Sequence, residues 1–301
     1  MSTVLFDEPG PRARRRARVG GVVGGVVLAA LLGLTLWKLQ REEQLTRAAW
    51  DPFTDWRIWR ALARALGATL RAASIAVALA LLLGMVLAAG RMSRRAWLRW
   101  PASAVVEFFR ATPVVLLIIF LFAAFSPDFD SLGERLEGSL PERVGAILGV
   151  KQFESLGPLV LALTLYNGAV LAEIFRAGIL ALPRGQREAG LAIGLPESAV
   201  MRIVLLPQAV RIMLPALVSQ SVVALKDTAL GVVIAYPELV REGRGIYDTH
   251  YNIIPTIFVV TVIYVTLNST VSALAQRLQQ RQARRYSRAA VAGAASAVDM
   301  H

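Results

Sequence analysis

Residues 187–208 read REAGLAIGLPESAVMRIVLLPQ, a polar stretch set between two long apolar runs. Two segments of helix-forming composition, 184–192 and 197–205, are parted by Gly194, Leu195 and Pro196. Glycine permits a sharp backbone turn and proline starts a helix well, so the stretch predicts a short helix–turn–helix. Ala189, Ala192 and Ile193 fall on its apolar side, with Arg187 and Glu188 as polar contacts. That pattern suits the groove of a partner protein. A generic interfacial helix pair is the competing reading.

The flanking runs set the class. Of 301 residues 55% are hydrophobic, too many for an ordinary soluble domain. Runs near 19–37, 66–90, 104–125, 157–180, 210–235 and 253–275 approach or exceed the roughly 20 residues that cross a bilayer core of about 30 Å. The first follows a basic stretch, as a secretory leader does. It lacks a small-residue cleavage site and is too long, so it reads as an uncleaved anchor. Gly21, Gly25, Ala29 and Gly33 recur on it every four positions, a stripe that allows close helix packing in lipid.

The formal charge of +12 raises the question of nucleic acid, but the basic residues cluster beside apolar runs and so point to membrane orientation. With both termini in the cytoplasm, 12–18 carries five Arg, 91–99 four, 184–211 four and 277–288 five on the inner side. The outer segments 126–156 and 236–252 carry three and two Lys/Arg. The outer segment 38–65 does not fit, with six basic residues against four acids. Within it 55–66 has amphipathic spacing around Trp56, Trp59 and Leu62, and is expected to lie flat at the interface. The implied divisions are a basic tail (1–18), an extra helix with an outer segment (19–65), a transmembrane domain (66–275) containing the loop 183–208, and a basic tail (276–301).

No catalytic constellation is present. The two histidines, His250 and His301, are far apart in sequence, and zero cysteines exclude disulfides and thiolate metal sites. There is no metal motif and no G-x-x-x-x-G-K-[ST] phosphate loop. No cofactor is expected in this chain.

Residues 187–208 hold the frame E-A-x-x-x-x-G-x9-[IV]-x-L-P at Glu188, Ala189, Gly194, Val204, Leu206 and Pro207. This resembles the cytoplasmic coupling loop of ATP-binding-cassette importer permeases, departing at Gly190 and Val204 from the usual alanine and isoleucine. VEFFRATP (106–113), AEIFRAGI (172–179), LPQAVR (206–211) and LKDTAL (225–230) are similar to motifs of the polar amino-acid permeases. Ser219 replaces a frequent asparagine, and Ala111 a usual glycine. The likeness covers about 67–274. It implies an all-α bundle of the type I importer permease fold with about six transmembrane helices. It also implies a second permease subunit in a heterodimer, a cytoplasmic ATPase dimer that uses ATP and Mg2+, and an extracellular amino-acid-binding protein. The N-terminal extension looks like that of glutamate permeases of high-GC Gram-positive bacteria, with glutamine the near competitor.

Charged residues inside the spans are costly in hydrocarbon and mark candidate sites. Glu107 with Arg110, and Glu173 with Arg176, share i, i+3 spacing near the inner face. They are expected to pair crosswise as a gate, Glu107 with Arg176 and Glu173 with Arg110, or else to form two intrahelical pairs. Asn167, Ser219, Lys226, Asp227 and Thr228 are candidates for the substrate path. Lys226 and Asp227 point about 100° apart on a helix and so do not neutralise each other. Arg71 is expected to snorkel near the outer face, or to attract an acidic substrate. The competing class, an ion-coupled secondary transporter or channel, needs internal repeats and midplane ion ligands. Only the EFFR and EIFR segments resemble a repeat.

Overall fold

The computed structural model describes residues 10–298, and among them there are helices and no strands. Six helical segments are long and apolar enough to cross a bilayer. In chain order the helices are α1 (Pro11–Arg41), α2 (Arg47–Trp50), α3 (Trp56–Met92), α4 (Ala96–Ala111), α5 (Val114–Ser139) and α6 (Glu142–Leu148). They continue with α7 (Phe153–Leu180), α8 (Arg184–Ala192), α9 (Glu197–Ala199), α10 (Leu206–Asp227), α11 (Leu239–His250) and α12 (Ile253–Val298).

α7 is the centre of the bundle and packs against α3, α4, α5 and α10. Its longest seam is with α3, which turns a row of small residues toward it. Ala68, Ala72, Ala76, Ala80, Gly84 and Ala88 recur every four positions, and all are buried. A Cβ on Gly84 would stand 2.9 Å from Leu171 Cβ and 3.1 Å from the Gly168 carbonyl oxygen. Lipid tails supply no hydrophobic drive between helices, so this close backbone approach is itself the source of cohesion.

Three expectations are corrected. The segment 55–66 is not a separate interfacial helix; it forms the first turns of α3, which runs 37 residues, about 55 Å at 1.5 Å per residue. No glycine or proline breaks it there, and Leu62 and Ala65 are buried against α11 and α12. The run 104–125 is not one span, because the chain leaves the helix at Thr112 (φ −80°, ψ 128°) before Pro113. Proline drives its predecessor out of the helical region, so α4 stands alone and α5 is the span. The segment 197–205 is not a free second helix: α9 passes through a π-helical stretch, Val200–Leu205, into α10. Pro207 has no N–H to offer the Ile203 carbonyl, which loosens the ladder at that point.

α1 is exposed along its length, and no side chain stands near Gly20, Gly21, Gly24, Gly25 or Gly33. After it, the chain is tied back to the bundle. Gln44 Nε2 donates to the Tyr251 carbonyl (2.8 Å), and Asn252 Nδ2 donates to the Ala49 carbonyl (2.9 Å). The basic segment 276–298 continues α12 as helix; residues 1–9 and 299–301, His301 included, lie outside the described part.

α11 is fastened at the end of the bundle away from α8 by groups that sequence reading did not single out. Glu238 is fully buried at its N-terminus and accepts from Val240 N, Arg241 N and the Tyr264 hydroxyl (2.7–2.9 Å). Tyr236 donates to the Ala68 carbonyl, and burial pushes its phenol up to about 12, so it stays a donor. Burial also raises the Glu238 carboxyl, outweighing the bonds it accepts. A raised folded-state value means stability that is full in acid and declines as pH rises from the ordinary carboxylate range through that value. Melting of Glu238→Gln should therefore vary less with pH than wild type across that range.

A second test addresses the seam. Gly84→Val should lower the melting temperature of the detergent-solubilised protein by about 5 °C or more, as overpacking of a tight contact does. Gly67→Val, on the same helix with nothing within 4 Å, should change it much less.

Candidate functional site: the hairpin and the charges above it

The hairpin is built as its composition requires. α8 ends at Ala192, and Gly194 adopts φ +85°, where L side chains are strained. The returning arm packs on α8 through Gly190, whose added Cβ would stand 2.9 Å from Val200 Cγ2. The absence of a side chain at Gly190 lets the branched side chain of Val200 close the turn. Arg187, Glu188 and Ala189 are exposed, and Ile193 is 78% exposed. Leu206 and Pro207 open α10 after the π-helical stretch, also exposed.

The hairpin is not loose. Glu197 accepts from Arg187 at 2.7 Å and from Arg94, in the turn between α3 and α4, at 2.6 Å. Three residues before Arg94, Arg91 donates to Glu173 of α7 (2.8 Å) and to Glu107 of α4 (3.2 Å). Arg91 is nearly buried, whereas Glu107 is 62% exposed.

The crossed pairing of Glu107 with Arg176 and Glu173 with Arg110 does not occur. Each carboxylate pairs along its own helix, Glu173 with Arg176 at 2.5 Å and Glu107 with Arg110 at 3.9 Å. The physical reason is the break at Pro113, which puts Glu107 on α4, and the guanidinium of Arg91, which occupies the place between the two carboxylates. The four expected residues do share one cluster, with Arg91 as its bridge. Arg91, Arg94 and Glu197 were legible only as members of basic loops or as helix-forming composition; their pairing spans 82 and 103 residues of sequence.

The path candidates separate. Asn167 is buried, donates to the Leu163 carbonyl (3.0 Å) and accepts from Gln220 of α10 (2.7 Å). Asp227 faces Asn167, and its Oδ2 is buried with no hydrogen-bond partner. Lys226 points elsewhere, as adjacent helical positions must, into a cleft of about 630 Å3 lined also by Arg244, Tyr247, Tyr264 and Asn268. Ser219 is exposed. Thr228 is fully buried, and its hydroxyl donates to the Leu225 carbonyl (2.7 Å), which holds the helix end.

With this geometry in place, comparison with known proteins is direct. Residues 80–284 match the family described as binding-protein-dependent transport system inner membrane component. The chain belongs to that family. It is 39% identical over 239 residues to the glutamate transport system permease protein GluD of Corynebacterium glutamicum, covering 79% of this chain and 81% of that one. A probable glutamine permease protein, GlnP of Bacillus subtilis, is 33% identical over 71% of this chain and 90% of its own length. The crystal structure of an amino acid ABC transporter with histidines superposes with a TM-score of 0.63 at 27% identity, covering 75% of this chain and 95% of the other.

The pairing makes a clear prediction for charge exchange. Arg91→Glu combined with Glu173→Arg should recover at least half of the stability or activity that either change loses, because contacting partners couple by roughly 0.5–3 kcal/mol. Glu107→Arg with Arg176→Glu should show no such recovery in the same double-mutant cycle.

Proposed function

We propose that this chain is the membrane subunit through which L-glutamate enters the cell, in a complex whose ATP and Mg2+ are handled by a separate cytoplasmic ATPase dimer. A second, non-identical permease subunit completes the membrane part, and an extracellular binding protein delivers the amino acid. Both termini lie in the cytoplasm, on the hairpin side, where the Lys/Arg excess falls. Membership of a binding-protein-dependent family supports the transport reading. Glutamate is favoured by the 39% identity to a glutamate permease protein, with glutamine next.

The observation that carries the reading is the shape of the hairpin. A large apolar side chain, Ile193, stands out on a turn that Glu197 braces by pairing with Arg187 and with Arg94. Such a side chain beside Glu188 and Ala189 fits a groove in a partner. Movement of the hairpin is passed through Glu197 to Arg94, and over three residues of chain to Arg91, which holds α3, α4 and α7 together at the cytoplasmic end. The gate is thus the Arg91 cluster with Glu107, Arg110, Glu173 and Arg176, and the hairpin pulls on it. The ATPase dimer biases the two membrane conformations by contacting the hairpin differently in each. Lys226 in its cleft supplies a cation for a carboxylate of the passing amino acid, while Asn167, Gln220 and Asp227 brace α7 against α10.

The test is uptake of labelled amino acids into vesicles containing the assembled complex. ATP-dependent accumulation of glutamate is expected. Ile193→Asp and Gly194→Val should each reduce it by about tenfold or more, the former by putting a charge into an apolar contact and the latter by straining the turn. Membrane insertion should be unchanged. Uptake that persists without any ATPase subunit would sink the reading.

A further inference from the structure

The end of the bundle opposite the hairpin carries charges that the coupling path does not use. Arg64 and Arg71 stand seven residues apart on α3, two helical turns, and so share a face. Both line a cavity of about 510 Å3, together with Gln152, Pro237 and Glu242. Its size is within the usual range of small-molecule sites.

Arg71 is held in place without being neutralised. Its guanidinium lies over Gly149, where an added Cβ would overlap Nη1; Gly149, at φ +73°, belongs to an adjoining cavity that Arg71 also borders, lined by Glu142 and by Glu137 in an ion pair with Lys151. Glycine is therefore required there twice, once for the turn and once for the cation. Among the described residues Arg71 and Arg64 form no ion pair, in contrast to Arg91 and Arg94 at the other end. The Glu242 side chain is unpaired as well, and Gln152 Oε1 is buried without a hydrogen-bond partner. A half-buried cation without an ion-pair partner is costly to keep and is stabilised when an anion arrives.

We infer that this cavity is an entry site for an acidic amino acid, which it meets before the amino acid reaches the cleft of Lys226. The charges match in number and sign: two guanidinium groups for two carboxylates, and one carboxylate, Glu242, for the ammonium. Guanidinium groups hold carboxylates through paired, charge-assisted hydrogen bonds, and Gln152 offers an amide to the same ligand. This inference rests on the reading of the chain as a glutamate permease and adds where selectivity for acidic substrates is exerted within the membrane subunit. The same cations would also suit the phosphate of an anionic lipid headgroup.

The experiment measures glutamate moved per ATP hydrolysed by the complete complex, supplied with saturating glutamate-loaded binding protein. It is run in vesicles of phosphatidylcholine alone and in vesicles also containing phosphatidylglycerol. Arg64→Gln and Arg71→Gln are each expected to lower the ratio about fivefold or more in both lipids, as loss of a charge-assisted contact does. Arg57→Gln, exposed on the same helix but outside the cavity, should keep the wild-type ratio. Arg64 is exposed, so its replacement tests the site even if Arg71→Gln fails to assemble. An unchanged ratio in Arg64→Gln and Arg71→Gln overturns the inference. A loss confined to phosphatidylglycerol vesicles overturns it too and assigns the cations to a lipid phosphate. A wild-type complex that moves only neutral amino acids refutes the acidic assignment and leaves the importer standing. One that moves no amino acid with ATP refutes the glutamate-permease reading itself.

Discussion

Everything functional in this bundle is positioned by the seam of small side chains between α3 and α7. In lipid, two helices gain little from hiding apolar surface from each other, so cohesion has to come from close, continuous contact. Five alanines and one glycine spaced four apart, Ala68 to Ala88, let α3 lie directly along α7. The seam also fixes where the ends of α3 fall. Arg91 is brought to Glu173 at one end, and Arg71 is set over Gly149 at the other.

That arrangement separates cohesion from switching. The middle of the seam is held by dispersion contacts between side chains with almost no rotamer freedom, and these do not exchange partners easily. The hairpin end is held by ion pairs whose members are partly wet, Glu107 and Glu197 among them. Exposed ion pairs are individually weak, of order 0–1 kcal/mol, and so exchange partners readily. Contacts of this kind yield to a modest force, whereas the seam resists slipping along its length.

Much of this was written in the sequence, and the failures have identifiable causes. Length and apolarity located the spans, and Gly194 with Pro196 located the hairpin, because those signals are local. Pro113 was read only as part of a motif, although its effect on Thr112 divides an apolar run into two helices. The π-helical stretch before Leu206 was hidden for the same reason, a missing N–H at Pro207. The ion pairs of Arg91 and Arg94 were not legible: a basic loop residue looks the same whether it faces water or a carboxylate 82 or 103 positions away. Glu238 was passed over in an outer loop, yet it is fully buried, because its acceptors are filled by two amides and a phenol rather than by a cation.

The contrast between the two ends of α3 follows from what each has to do. At the hairpin end Arg91, Arg94, Arg110, Arg176 and Arg187 share three carboxylates, Glu107, Glu173 and Glu197, so each guanidinium has a partner and the strength of the cluster depends on geometry. At the far end the guanidinium groups of Arg64 and Arg71 are left without one while the backbone around Arg71 is shaped to hold it still. Completing that charge requires something that arrives. Arg71 is half-buried, so leaving it without a carboxylate carries a desolvation cost that the exposed Arg64 does not share. The seam makes the asymmetry possible, since it supplies enough cohesion in the middle that one end of α3 can stay electrostatically unsatisfied.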